Sequence, residues 1–253
     1  MNKNFNVGSL SVSIYEDRQK MGKAAADEGI TFIQQLLKQK EFINIIFAAA
    51  PSQNEVLEAL KNSPEVDFSR INAFHMDEYI GLPENAPQGF GNFLKRHLFG
   101  LVNFHSVHYI NGQAKNYNEE CERYALLLKE FPVDICFMGI GENGHIAFND
   151  PAVADFHDSQ SMKVVKLDEI CRKQQVNDKC FESIENVPTH AFTLTIPSLM
   201  NAEKIICTVP AQTKAAAVRR ALNEEISETC PASILRTHPN AKLFIDSDAA
   251  SLL

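Results

Sequence analysis

Two short segments carry the residue types that move protons. The first leaves Gly139, passes Gly141, Asn143 and Gly144 to His145, and reaches Asp150 before Pro151. It comes after the apolar run 133–138, which reads as a buried strand. The chain therefore leaves a sheet through glycines and presents an imidazole and a carboxylate in the turn. Histidine exchanges protons near neutral pH. Glycine tolerates positive φ and lets backbone N–H groups approach a ligand. Asp150 can fix the tautomer of His145, as a carboxylate orients a catalytic histidine elsewhere, and the Asn143 amide can join that network. The second segment, His75-Met76-Asp77-Glu78-Tyr79, ends a strand-like run at 70–74. Neighbouring side chains on extended backbone point to opposite sides, so one of Asp77 and Glu78 faces a given ligand. A carboxylate beside a substrate carbonyl removes an α-proton when desolvation raises its pKa. The competing readings are plain ones: a solvated acidic turn and a structural histidine.

Two strand-to-helix junctions could hold an anion. At Ala48-Ala49-Ala50-Pro51-Ser52-Gln53, Ser52 is a good N-cap residue and the free N–H groups of a first helical turn suit a phosphate. At Val209-Pro210-Ala211-Gln212-Thr213-Lys214, a lysine stands in the opening turn, where the helix dipole disfavours a cation. An anionic ligand would remove that conflict; an exposed, solvated lysine is the alternative.

Those junctions need a scaffold of buried strands and amphipathic helices. Strand-like runs fall at 9–15, 43–50, 70–74, 107–110, 133–138, 162–167, 191–196, 204–209 and 242–245. Helical patterns fall at 16–40, 52–61, 90–98, 118–129, 168–176 and 212–223, with a short turn of helix at 231–235. This alternation predicts an α/β fold: one three-layer, open, mostly parallel sheet, a modified Rossmann-like arrangement with helices on both faces. No repeat or linker interrupts the chain, so residues 1–253 are expected to form a single domain. In open α/β sheets ligands bind outside the carboxyl ends of the strands, where the glycine turn lies.

The 253 residues are 45% hydrophobic with a net charge of −8. Acidic and basic residues are mixed, and the clustered Lys and Arg of a nucleic-acid footprint are missing. No apolar run approaches the roughly 20 residues of a membrane span, and no signal peptide is seen. The six cysteines contain no C-x-x-C pair and read as structural thiols in a reducing cytosol. A cytoplasmic protein is expected, without nucleic-acid or membrane partners. No zinc-type Cys/His spacing occurs, so no metal is expected. Residues 139–144 match G-x-G-x-x-G by letter, but residues 145–151 do not read as the opening of a long helix, and dinucleotide binding is rejected.

Residues 74–82, containing Met76-Asp77-Glu78-Tyr79, and residues 141–151, containing Gly144-His145-Ile146-Ala147-Phe148-Asn149-Asp150-Pro151, resemble the glucosamine-6-phosphate deaminase (glucosamine-6-phosphate isomerase) family. The likeness runs from the first strand to Pro239. It implies that Asp77 moves a proton between C2 and C1 of an open-chain aminosugar phosphate. It further implies that His145, oriented by Asp150 and Asn143, assists ring opening, and that the C2 amine leaves as ammonia without any cofactor. The substrate-facing and phosphate-binding set it implies is Ala50, Ser52, Gln53, Glu78, Gly141, Gly144, Lys214 and, through similarity to an N-S-R-F-F segment, Lys179. A small sugar phosphate is the implied partner, and a homo-oligomer stays open.

The chain also departs from the family. Where better-known members carry a T-G-G-T-P-type loop, this chain has Ala49-Ala50-Pro51-Ser52-Gln53, so phosphate contacts should shift to the Ser52 and Gln53 side chains. Asn143 replaces an aspartate of some members, and Asp150 replaces a glutamate one methylene longer. These changes leave open which hexosamine 6-phosphate, gluco or galacto, is used. Two other readings compete: a 6-phosphogluconolactonase-like hydrolase, and a sugar-phosphate sensor without enzymatic activity.

Overall fold

In the computed structural model, which describes residues 3–253, alternate apolar residues along each central strand face opposite helix layers. Ile46, Phe74, Cys136, Met138, Ile205 and Cys207 join one core, and Ile45, Phe47, Ala73, Ile135, Phe137 and Ile206 the other. That two-sided burial is the mark of a parallel sheet covered on both faces.

The large sheet has eight strands. They are β1 (Lys3–Val7), β2 (Leu10–Tyr15), β3 (Ile43–Phe47), β4 (Ile71–His75), β6 (Ser106–His108), β7 (Ile135–Met138), β10 (Lys204–Val209) and β11 (Ala241–Asp246). The spatial order is β1-β2-β11-β10-β7-β3-β4-β6, parallel except for the β1–β2 hairpin. Helices α1 (Arg18–Leu37), α2 (Asn54–Lys61) and α3 (Phe90–Leu94) supply one core. Helices α4 (Tyr117–Glu130), α6 (Ile196–Met200) and α7 (Ala215–Asn223) supply the other. The mostly parallel, helix-flanked sheet expected from the alternation is what forms.

The order of strands reverses between β7 and β3. From β3 the chain proceeds outward through β4 to β6, and from β7 it proceeds the other way through β10 to β11. A crevice opens at such a switch point, and it is flanked by both segments singled out above.

Four departures matter. Residues 162–167 and 191–196 do not join the parallel sheet. As β8 (Met162–Lys166) and β9 (His190–Leu194) they build a separate antiparallel sheet with β5 (Asp77–Tyr79), in the order β5-β9-β8. The edge strand β1, whose Phe5 and Val7 pack half-buried against the core, has no counterpart among the expected strands. The run at 43–50 ends at Phe47, and the helix expected from Ser52 begins as a 3₁₀ turn, Pro51–Gln53, before α2. Helix α3 passes into a π turn at Lys95–Phe99.

Candidate active site

The carboxyl ends of β4, β3, β7 and β10, adjacent in the sheet, deliver four segments to one pocket. Met76-Asp77 continues from β4, Ala48 to Gln53 from β3, Gly139 to His145 from β7, and Pro210 to Lys214 from β10. Phe90, Ile140, Ala147 and Phe148 give it an apolar wall.

Asp77 lies on β5 of the small sheet, where pairing with Thr193 of β9 sets which face it shows. It lines the pocket, is buried, and its carboxylate accepts no hydrogen bond among the described residues. Burial, and then the neighbouring charge of Glu78, push its pKa well above the ordinary aspartate value of 3.8. Its backbone is locked in place. His75 Nε2 accepts from Ile110 N at 2.9 Å, so Nδ1 carries the proton and donates to the Asp77 carbonyl at 2.9 Å. Burial depresses the His75 pKa to about 4, keeping that ring neutral. The Tyr124 hydroxyl accepts from His75 N at 3.1 Å and donates to His75 O at 2.9 Å.

Glu78 is a correction. Its side chain turns away from the pocket, and its carboxylate accepts from the N–H groups of Tyr79 and Phe90 (both 2.9 Å) and Gly91 (2.8 Å). It caps the start of α3 and ties that helix to β5. Burial raises its pKa, and the three N–H donors oppose that rise.

The glycine turn is closed by Gly141 N donating to His145 O at 2.9 Å and Gly144 N to Gly141 O at 3.0 Å. Gly141 lines the pocket for a steric reason: a Cβ there would lie 2.1 Å from His145 Cε1 and 2.2 Å from Nε2. The imidazole rests on that bare backbone. Its Nδ1 is 2.7 Å from Asn143 Oδ1 and 3.0 Å from Asp150 Oδ1. Both are acceptors, so Nδ1 carries the proton and Nε2 is left as the free base. Asn143 Nδ2 donates to Asp150 Oδ1 and to Asp168 Oδ2, both at 2.9 Å. An amide belongs between two carboxylates; an aspartate there would gather three negative charges. Asp150 therefore reaches His145 despite its shorter arm. Burial works to raise the Asp150 pKa, but the hydrogen bond and charge of His145 outweigh it and hold the group below its usual value.

Asp168, which caps α5 (Glu169–Asn177) by accepting from Cys171 N, joins this network without any sequence signal for that role. The capping position itself is visible in sequence. Candidate ligand atoms of His145, Asp150 and Cys171 lie within 4.8 Å of one another. Burial and the charges of Asp150 and Asp168 push the Cys171 thiol well up.

Of the residues expected to bind a phosphate, Ala50, Ser52, Gln53 and Lys214 line the pocket. Lys214 Nζ is buried without a hydrogen-bond partner among the described residues, and burial lowers its pKa. Ser52 sits inside the 3₁₀ turn rather than capping a helix. Gln53 uses its polar atoms internally: Oε1 accepts from Thr208 Oγ1 at 3.1 Å, and Nε2 approaches Met138 O at 3.3 Å and Thr208 O at 3.4 Å. It struts the ends of β7 and β10 with the side-chain atoms expected to meet a phosphate. Lys179 is exposed, has a φ of +59°, and does not line the pocket. Gly144 (φ +89°) packs against Cys230 outside the pocket lining. Arg18, Gln174, Gln175, Asp178 and Thr213 line the pocket although sequence reasoning does not select them.

Comparison with known proteins decides the family. The family model for glucosamine-6-phosphate isomerases and 6-phosphogluconolactonase matches residues 16–244. The chain belongs to this family. A glucosamine-6-phosphate deaminase of Bacillus cytotoxicus is 35% identical over 243 residues, covering 96% of this chain and 89% of the relative. One of Listeria monocytogenes is 37% identical over 211 residues, 83% of this chain and 88% of that protein. Among solved structures, a monomeric glucosamine-6-phosphate deaminase superposes with a TM-score of 0.86 at 30% identity, covering 96% of this chain and 99% of that one. The 6-phosphogluconolactonase from Thermotoga maritima, at 18% identity and a TM-score of 0.77 over 94% of this chain and all of that one, shares the fold. The resemblance read from the two motifs is thus borne out at the level of the family. Within it, this member carries an Ala49–Gln53 loop without glycine and an amide at Asn143.

Proposed function

We propose that the protein isomerises and deaminates a hexosamine 6-phosphate, converting glucosamine 6-phosphate, or its galactosamine epimer, to the ketose phosphate and ammonia. The observation that carries this reading is the buried Asp77 carboxylate, unpaired and raised in pKa, lining the same pocket as a histidine whose Nε2 is free. In this reading His145 Nε2 takes the proton of the anomeric hydroxyl and returns it to the ring oxygen, which opens the pyranose. Asp77 then removes the C2 proton of the open-chain aldose and delivers it to C1 through an enolamine. The resulting C2 imine takes up water and expels ammonia, so the overall change is hydrolytic at the C–N bond. Asn143 and Asp150 keep the proton on Nδ1 throughout. Lys214 and the 50–52 segment receive the phosphate. The general-base step needs a carboxylate that is basic enough to take a carbon-bound proton, which desolvation supplies.

The same reading includes a cytoplasmic setting, supported by six free thiols, and residues 1–253 acting as one domain. No helix among the described residues is long and apolar enough to cross a membrane. The test is ammonia release from glucosamine 6-phosphate and galactosamine 6-phosphate, with hydrolysis of 6-phosphogluconolactone measured in parallel. Ammonia from either aminosugar is expected. Lactone hydrolysis without ammonia would transfer the pocket to the lactonase reading, and tight binding without either product would make it a sensor.

A further inference from the structure

Arg18 stands on the pocket wall although no motif marks it. Among the described residues lining the pocket, only Arg18 and Lys214 are lysine or arginine, and they share it with the carboxylates Asp77 and Asp178. A phosphate dianion entering there has few cations to meet. Arginine carries five N–H donors in a planar fork. Nε donates to Glu55 Oε1 at 2.7 Å, and Nη2 donates to Glu55 Oε2 and to the Pro51 carbonyl, both at 2.9 Å. The two N–H groups of Nη1 have no acceptor among the described residues. The fork is held by the packing of α1 on α2: a Cβ at Gly22, one turn after Arg18, would lie 2.3 Å from Glu55 Cβ. Through Pro51 the same fork pins the segment that lacks glycine. The second cation, Lys214 Nζ, is buried and unpartnered among the described residues.

We propose that Arg18 is a ligand of the substrate phosphate, its free Nη1 edge acting with Lys214 while Glu55 holds the guanidinium in orientation. This rests on reading the pocket as a phosphosugar site, and it names what replaces the absent glycine loop. Guanidinium–phosphate hydrogen bonds are charge-assisted and directional, so the fork matters beyond its charge. Glu55 carries a cost that makes the arrangement diagnostic. Glu55 does not itself line the pocket, but without Arg18 its uncompensated charge would repel a phosphate held there.

The test is calorimetric binding of glucitol 6-phosphate, an open-chain polyol phosphate that cannot isomerise, with inorganic phosphate as competitor. Arg18→Met should weaken binding by about 10- to 100-fold, and Arg18→Lys, which keeps the charge without the fork, by less. Arg18→Met combined with Glu55→Gln should recover part of the loss, which a merely structural arginine would not show. Unchanged affinity in Arg18→Met overturns the proposal. Should that variant fail to fold by circular dichroism, unchanged affinity in Arg18→Lys does so. Because the measurement needs no turnover, it separates the two readings. Phosphate binding lost in Arg18→Met by a protein that releases no ammonia upholds Arg18 and rejects deamination. Ammonia release with unaltered phosphate affinity rejects Arg18 alone.

Discussion

Asp77 is buried without a donor to its carboxylate among the described residues, and that condition should be visible in stability before any substrate is added. In the unfolded chain the group titrates near 3.8; in the folded protein it titrates well above that, through burial and the adjacent Glu78. Between those two values the unfolded state has released a proton that the folded state still holds. Stability therefore falls as pH rises through that window, by about 1.4 kcal/mol per pH unit from this group. For a chain of this size about 1 kcal/mol moves Tm by roughly 2–4 °C, so the slope is about 3–6 °C per pH unit. Asp77→Asn keeps the shape and removes the titration. Its Tm should match the wild type near about pH 4, exceed it by a margin growing at that slope, and then level off once the folded carboxyl has ionised. Scanning calorimetry of both proteins across this range measures the difference, and titrating groups that do not interact with Asp77 cancel. Parallel curves would refute the claim that Asp77 is desolvated and unpaired.

Other perturbations separate the roles of neighbouring residues. Glu78→Ala leaves three backbone N–H groups without their acceptor and should cost about 3 kcal/mol in urea unfolding; a loss under about 1 kcal/mol would remove Glu78 from its structural role. Asn143→Asp replaces the donor between Asp150 and Asp168 with a third negative charge. It should lower kcat and move the acidic limb of the kcat/KM profile to higher pH, because added negative charge raises the Asp150 pKa that is now held low. A profile that does not move would show that the amide is not the link. For Lys214, whose pKa burial lowers from 10.5, the unfolded state binds the proton more tightly, so stability from this group is lost as pH falls below that value. Lys214→Met should raise Tm at pH 7 without ligand. It should also lose most of the gain of about 5–10 °C that wild type shows at a hundredfold excess of phosphosugar over its Kd. An undiminished ligand-induced shift would place the phosphate elsewhere.

The sequence makes some of this legible because burial is written locally. Continuous apolar runs at β3, β7 and β10 announce the strands, and the glycine turn announces the pocket beyond them. Alternation also foretells that Asp77 and Glu78 part ways. Which of them faces the pocket depends on the pairing of β5 with β9, a contact made more than a hundred residues along the chain, and local pattern does not carry it. The small antiparallel sheet is hidden for the same reason: a local run marks a strand without naming its partner. Gln53 looks like a donor for an anion, but its amide is consumed by Thr208 and the Met138 carbonyl once β7 and β10 are side by side. Arg18 shows no sequence signal at all, since its meaning comes from Glu55, 37 residues away. Lys179 rests on likeness to a motif of the family, yet the left-handed turn after α5 leaves it exposed and outside the pocket lining.

The central claim is that Asp77 carries the proton between C2 and C1. Single-turnover ammonia release by Asp77→Asn, with glucitol 6-phosphate affinity measured on the same preparation, tests it most directly. The account predicts a fall of about a thousandfold or more in rate with affinity within a few-fold of wild type. Ammonia release at the wild-type rate by that variant would contradict it.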